Sequence, residues 1–171
     1  DLREFAKARR QAIMAAADNR LDAQQGGRAI VKYVSGAVDE LIVDLWRRVA
    51  GDAARGVDVV AVGGYGRAEL CPHSDWDLVF LVPNADDARV DAAIKTFGQT
   101  VWDSGAHLGH AVRTVKEARK FARDNHQART ALLESRMVSG SGALYAELLK
   151  SSGQQHWSRR ERIEFCTLKI D

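Results

Sequence analysis

The chain has 171 residues, 46% of them hydrophobic, with 25 basic against 23 acidic side chains and a formal net charge of +2. That length and apolar share suit one globular domain burying about two-thirds of the surface its unfolded chain exposes, and the interspersed charges give no single-sign field to draw nucleic acid or a membrane. There is no apolar run long enough to span a bilayer and no charged-then-apolar leader, so neither a membrane span nor a secretion signal is expected; Cys71 and Cys166 form no C-x-x-C pair or Cys/His cluster and are expected to be reduced thiols of a cytoplasmic protein.

Residues 1–24, rich in Ala, Arg, Lys and Gln, carry Phe5, Ile13, Met14 and Leu21 on an approximate helical stripe and predict a surface helix packed on the domain. Gln25, Gly26 and Gly27 break it. A second helix, predicted to be the longest, follows with Ile30, Val34, Val38, Leu41, Leu45 and Val49 at helical spacing. Its Arg28, Lys32, Arg47 and Arg48 lie among acids and read as a solvated face. Residues 51–56 close the helix in a small charged turn.

Val59, Val60, Ala61 and Val62 predict a short buried strand closed by Gly63, Gly64 and Gly66, and residues 78–82 predict another, closed by Pro83 and Asn84. Asp75 and Asp77 stand at the entry of the second strand. With a side-chain period of two, both carboxylates project from one face and Trp76 from the other. Two carboxylates about 6 to 7 Å apart raise each other's cost of ionisation unless a cation lies between them. Mg2+ suits such a pair, because it takes oxygen ligands and combines one or two protein carboxylates with water and substrate phosphates.

The glycines supply a matching half. Backbone N–H groups of Gly63, Gly64 and Tyr65 can approach a triphosphate, Ser74 can donate to the same phosphates, and Arg67 can pair with one bidentately. No G-K-[ST] follows, which excludes a Walker A loop, and Glu69 stands where a Rossmann fingerprint needs its third small residue. A lone D-x-D or a lone G-G-x-G carries little weight. Strand, G-G-x-G-R, a short connection, S-D-x-D and strand together predict a nucleotide and metal site.

Downstream, residues 85–102 predict a crossover helix with Val90, Ile94, Phe97 and Val101 on its buried side. Residues 108–115 predict a third strand, with Gly109, Ala111 and Arg113 on one face and His110, Val112 and Thr114 on the other. That strand contains no carboxylate. Arg113 either faces the nucleotide, neutralising phosphate, or forms a salt bridge to Glu69 or Glu134. His110 reads as a packed core histidine and His73 as a surface-loop residue without the second histidine a metal site needs. Residues 116–136 predict a charged helix pair with Leu132, Leu133 and Met137 inward. Gly140 and Gly142 mark a turn, residues 143–150 a further helix, 151–155 a polar break, and 157–170 another helix with Ile163, Cys166 and Ile170 on its apolar face.

The run GGYGRAELCPHSDWDLVFL resembles the signature of the polymerase-β-like nucleotidyltransferases, and within them the N-terminal domain of the bacterial bifunctional PII uridylyltransferase/uridylyl-removing enzymes. Gly63, Gly64, Tyr65, Gly66, Arg67, Glu69, Leu70, Pro72, Ser74, Asp75 and Asp77 fall where that motif has them. Further matches are Trp102 and Asp103; Gly109 and His110 with Val112, Arg113 and Thr114; and Thr130 with Leu132, Leu133, Glu134, Ser135, Arg136 and Gly140. The resemblance covers residues 55–150.

It implies an α+β fold: a polymerase-β-like nucleotidyltransferase core, a small mixed sheet flanked by helices, over residues 55–150. A helical segment, 1–54, packs on that core and a following helical region begins in 151–171. It implies Asp75 and Asp77 as catalytic and metal-binding residues, and Gly63, Gly64, Tyr65, Arg67, Ser74 and Arg113 as nucleotide-binding. The implied reaction is Mg2+-dependent transfer of UMP from UTP to a tyrosine hydroxyl of a PII nitrogen-regulatory protein, releasing pyrophosphate. A His/Asp (HD) domain for uridylyl removal and ACT domains for glutamine sensing belong to the family's longer chains and are absent here, so this chain reads as an isolated catalytic fragment or a naturally short one.

One departure stands out. The resemblance implies an acid five positions before Thr130, where this chain has Asn125 with Asp124 beside it. The third carboxylate is therefore Asp124, Glu134 or none, and a catalytically impaired nucleotide-binding regulatory module is the alternative to an active enzyme. An adenylyltransferase acting on another acceptor keeps the same site. UTP rests on the resemblance alone, since no residue identifies a uracil-reading group.

Overall fold

Asp1 caps the first helix, α1 (Leu2–Asp22), by accepting from the Arg3 amide at 2.9 Å. The structure, a computed structural model, describes residues 1–152. After α2 (Gly27–Ala50) and a 3-10 turn (Gly51–Ala54) come β1 (Asp58–Ala61), the one-turn helix α3 (Gly63–Gly66), β2 (Trp76–Leu81), α4 (Ala88–Asp103) and β3 (Leu108–Arg113). Then follow α5 (Val115–Asp124), α6 (His126–Leu133), β4 (Arg136–Ser139) and α7 (Ala143–Ser152). The fold is α+β, a small mixed sheet flanked by helices, and α2 is the longest described helix at 24 residues.

The sheet runs β3-β2-β1-β4; β1 is antiparallel to both β2 and β4, while β2 and β3 are parallel and joined through α4. A parallel pair needs such a crossover, and α4 buries the predicted stripe of Val90, Ile94, Phe97 and Val101 onto the sheet. Strand alternation divides the core in two. Val59, Ala61, Leu78 and Phe80 face α1, α2 and α4, where Trp46, Phe80 and Phe97 meet with ring centroids 5.1 to 5.8 Å apart. Val60 and Leu81 face the other way, toward Val115, Ala118 and Leu148.

Several expectations change. Leu21 is 64% exposed in the last turn of α1. Leu133 is also exposed, at 37%, and the segment after it is a strand: β4 pairs with β1, an element hidden by its short, half-buried composition. His110 is exposed on the edge strand, leaning on Trp102 and Phe80 at centroid distances of 6.0 and 6.2 Å, so it is packed but not a core residue. The glycine turn is a turn of helix. The polar break at 151–155 beyond its first residues, the helix at 157–170 and Cys166 lie outside the described residues; Cys71 is an exposed free thiol.

Candidate active site

The hairpin β1-β2 is closed by a long connection whose first part is α3. Gly63 enters it with φ +61, in the left-handed region that favours glycine. Gly66 is required for packing: a Cβ there would overlap the Glu134 carbonyl oxygen and lie 2.9 Å from that of Ala61. The glycine turn is thereby wedged between the end of β1 and the α6-β4 junction. It ends in a Schellman motif, with the Ala68 amide donating to the Tyr65 carbonyl at 3.0 Å and the Glu69 amide to the Gly64 carbonyl at 2.9 Å. Ala68 occupies the left-handed position of that motif at φ +58.

Helix α2 holds this connection at two points. Tyr65, 2% exposed, donates its phenol to Asp39 Oδ1 at 2.7 Å. Arg136 of β4 grips the same carboxylate at 2.6 and 3.1 Å and donates to the Tyr65 carbonyl at 3.2 Å. Burial first, and the Asp39 charge second, push the Tyr65 phenol well above its ordinary pKa, which keeps it a neutral donor. One turn earlier on α2, Ser35 Oγ accepts from the Leu70 amide at 3.0 Å while donating to the Val31 carbonyl at 2.8 Å. Asp39, Ser35 and Arg136 escape sequence reading, since each is a single polar residue whose partner lies far along the chain.

At the far end of the connection the predicted alternation is present: Trp76 is buried while Asp75 and Asp77 are exposed. Partial enclosure first, and the Asp75 charge second, raise the Asp77 pKa above the ordinary carboxylate value. Asp77 pairs in register with Gly109 of β3, and a Cβ at 109 would overlap Asp77 Oδ1. Glycine at that position leaves the carboxylate its room. Among the described residues no three His, Cys, Asp or Glu side chains converge as a metal cluster. Asn125 caps α6, accepting from the Ala128 amide at 2.9 Å, and Glu134 is bound by Arg67 at 2.7 Å.

A cleft of about 300 Å³ opens on this face of the sheet, beneath α5 and α6, with Gly63, Asp77, Val79, Arg113, Phe121 and Leu132 among its walls. Its size is that of a small-molecule site. Of the sequence-predicted residues, Gly63, Asp77 and Arg113 come together here. Tyr65 points into the core, and Ser74 Oγ donates to the Cys71 carbonyl at 2.9 Å. Arg67, not Arg113, makes the ion pairs with Glu69 and Glu134, each at 2.7 Å. Arg113 instead lies over the Phe121 ring, 4.0 Å from its centroid, a cation–π contact.

A mixed sheet flanked by helices, with the start of a glycine turn and the Asp77 carboxylate in the wall of one cleft, defines an α+β protein with a small-molecule-sized site. Sequence relatives make that class particular. Over 145 residues, 84% of this chain, the sequence is 36% identical to the bifunctional uridylyltransferase/uridylyl-removing enzyme of Pseudomonas putida. Over 149 residues, 86% of the chain, it is 36% identical to the enzyme of that name from Cupriavidus metallidurans, and over 158 residues, 92% of the chain, 33% identical to that of Pseudomonas aeruginosa. These relationships place the chain in the uridylyltransferase family of nucleotidyltransferases. The chain spans 16 to 17% of the length of these relatives. No protein-family model matches the chain.

Proposed function

We propose that the chain transfers the UMP group of UTP to a tyrosine hydroxyl of a PII nitrogen-regulatory protein, in the cytoplasm and with Mg2+, releasing pyrophosphate. The observation that carries this reading is Asp77 in the wall of the cleft with the exposed Asp75 two residues before it, the Asp77 pKa being raised by partial enclosure and by Asp75. The donor set fits Mg2+: the two carboxylates repel, Gly109 leaves space beside Asp77 Oδ1, and water and phosphate oxygens complete such a shell. When bound, Mg2+ supplies charge neutralisation at the reacting phosphate and a lower pKa for the attacking hydroxyl.

The chain's own residues orient. Asp75 and Asp77 fix the reacting end, and the amides at the start of α3, held by Tyr65 and Gly66, offer donors for the leaving phosphates. The tyrosine oxygen bonds to the α-phosphorus as the α-β bridging bond breaks; its proton passes to solvent or a carboxylate, and pyrophosphate leaves. Catalysis of this kind is positioning and charge stabilisation. The names of the relatives support uridylyl as the group moved, and the motif resemblance supports a PII protein as acceptor. The same reading assigns uridylyl removal and glutamine sensing to HD and ACT domains of a longer parent chain.

A second reading, a nucleotide-binding regulatory module without turnover, is favoured by the absence of a third metal-ligating side chain beside Asp75 and Asp77 among the described residues. One experiment separates the two: pyrophosphate release from each of the four nucleoside triphosphates, with and without PII protein. Release from UTP with PII, lost by about 10²- to 10³-fold in Asp77→Asn, supports the transferase. UTP binding by calorimetry without release supports the module, and release from ATP instead points to adenylyl transfer.

A further inference from the structure

The cleft has a second end. Asp77 pairs with Gly109 and Leu81 with Arg113 in the parallel β2-β3 register, so the Arg113 backbone lies about 13 Å further along the sheet than Asp77 at 3.3 Å per residue. There the Arg113 guanidinium and the Phe121 ring lie 4.0 Å apart, and both line the cleft. Phe121 is 42% exposed on a helix that otherwise buries Val115, Ala118 and Ala122. Between the two ends in the strand register lie Val79 and Ala111, and Ala128, Ala131 and Leu132 of α6 also line the cleft.

We propose that the Arg113–Phe121 stack is the platform for the nucleobase of the triphosphate. This rests on the nucleotide-site reading of Asp75 and Asp77. The slot admits a flat ring, and the spacing from Asp77 is comparable to a carboxylate-to-phosphate approach through a metal ion plus the span of a nucleotide from its α-phosphate to its base. The base lies as the next layer of the stack, against the flat guanidinium and ring. Since every base has a π face and the wall between offers carbon, the platform adds affinity for a planar heterocycle without choosing among bases.

The test is titration calorimetry of the 171-residue chain with UTP and with inorganic tripolyphosphate, both with Mg2+, in wild type, Phe121→Ala, Phe121→Leu and Phe121→Trp. Wild type should bind UTP more tightly than tripolyphosphate by roughly 5- to 150-fold, the range of base–aromatic stacking. Phe121→Ala should lose that margin while its tripolyphosphate affinity, which reports an intact fold, is unchanged. Phe121→Leu, which keeps apolar bulk on α5, should also lose it, and Phe121→Trp should keep it. A margin that survives in both Ala and Leu variants, or is missing in wild type, overturns the platform alone. If wild type binds neither ligand, the nucleotide site of the proposed function falls, and the platform with it.

Discussion

Gly109 faces Asp77 across the parallel β2-β3 pair, and a Cβ at position 109 would overlap the Asp77 Oδ1 atom. Gly109→Ala should therefore turn the Asp77 carboxylate away while leaving the strand intact, since alanine suits a strand no worse than glycine. Nucleotidyl transfer should fall by about 10²-fold, the scale of a misplacement near 1 Å. The free energy of unfolding should change by no more than about 1 kcal/mol. Pyrophosphate release and urea denaturation on the same sample measure both.

Asp77 also links the site to pH. Its folded-state pKa is raised, so the folded chain holds the proton more firmly than the unfolded one. The site is least strained while Asp77 is protonated, and stability is lost as pH rises from the ordinary carboxylate value through the raised one. At neutral pH Asp77→Asn should then be more stable than wild type. The gain should be small, because solvent screens an exposed side chain. Below the acid window the difference should vanish, and saturating Mg2+ should raise the melting temperature of wild type more than that of the variant. Thermal melts at pH 3.0, 5.0 and 7.0, roughly spanning the carboxylate range, read all three outcomes.

Tyr65 ties the glycine turn to α2 through a 2.7 Å bond to Asp39, which Arg136 also grips. Tyr65→Phe removes one donor and leaves Asp39 its partner, so it should cost about 1.5 to 3 kcal/mol, the range for a hydrogen bond to a charged group. Asp39→Ala leaves the half-buried Arg136 guanidinium without its carboxylate and should cost more, about 3 kcal/mol. Chemical denaturation gives both values. The order of the two variants is the sharper check, because a Tyr65→Phe cost above that of Asp39→Ala would mean that the hydroxyl stabilises the fold by more than its bond to Asp39.

The alternation around Trp76, the α4 stripe and the helical spacing of α2 were legible because each is a local period. What the sequence concealed lies across long separations. Tyr65 and Asp39 are 26 positions apart, and Arg136 and Asp39 are 97 apart. Asp58, fully buried, accepts from the Gly142 and Tyr145 amides at 2.8 and 3.0 Å and holds the start of α7, a cap supplied from 84 positions away. Arg67 and Arg113 are alike as letters, and only the fold separates the one that pairs with Glu69 and Glu134 from the one that enters the cleft.

Ala68 sits at φ +58 in the Schellman position that glycine usually fills. An L side chain there costs about 1 to 2 kcal/mol, part of which glycine returns through its larger unfolded-state entropy. Ala68→Gly should stabilise the chain by about 0.5 to 1 kcal/mol, measured by urea denaturation.

Asn125 bears on whether the site is complete. Its side chain caps α6 at the Ala128 amide, 2.9 Å away, and Arg129 satisfies the preceding carbonyls of Ala122 and Arg123 at 3.1 and 2.8 Å. Asparagine and aspartate cap helices equally well, and a negative charge at a helix start is favourable. Asn125→Asp should thus fold with stability within about 0.5 kcal/mol of wild type while supplying the acid that the resemblance implies at this position. Because the cap turns this side chain toward α6, the rate of pyrophosphate release from UTP with PII protein should be unchanged. A rise of about tenfold or more, a barrier change near 1.4 kcal/mol, would show that position 125 does reach the reacting phosphate and that Asp75 and Asp77 work below capacity without it.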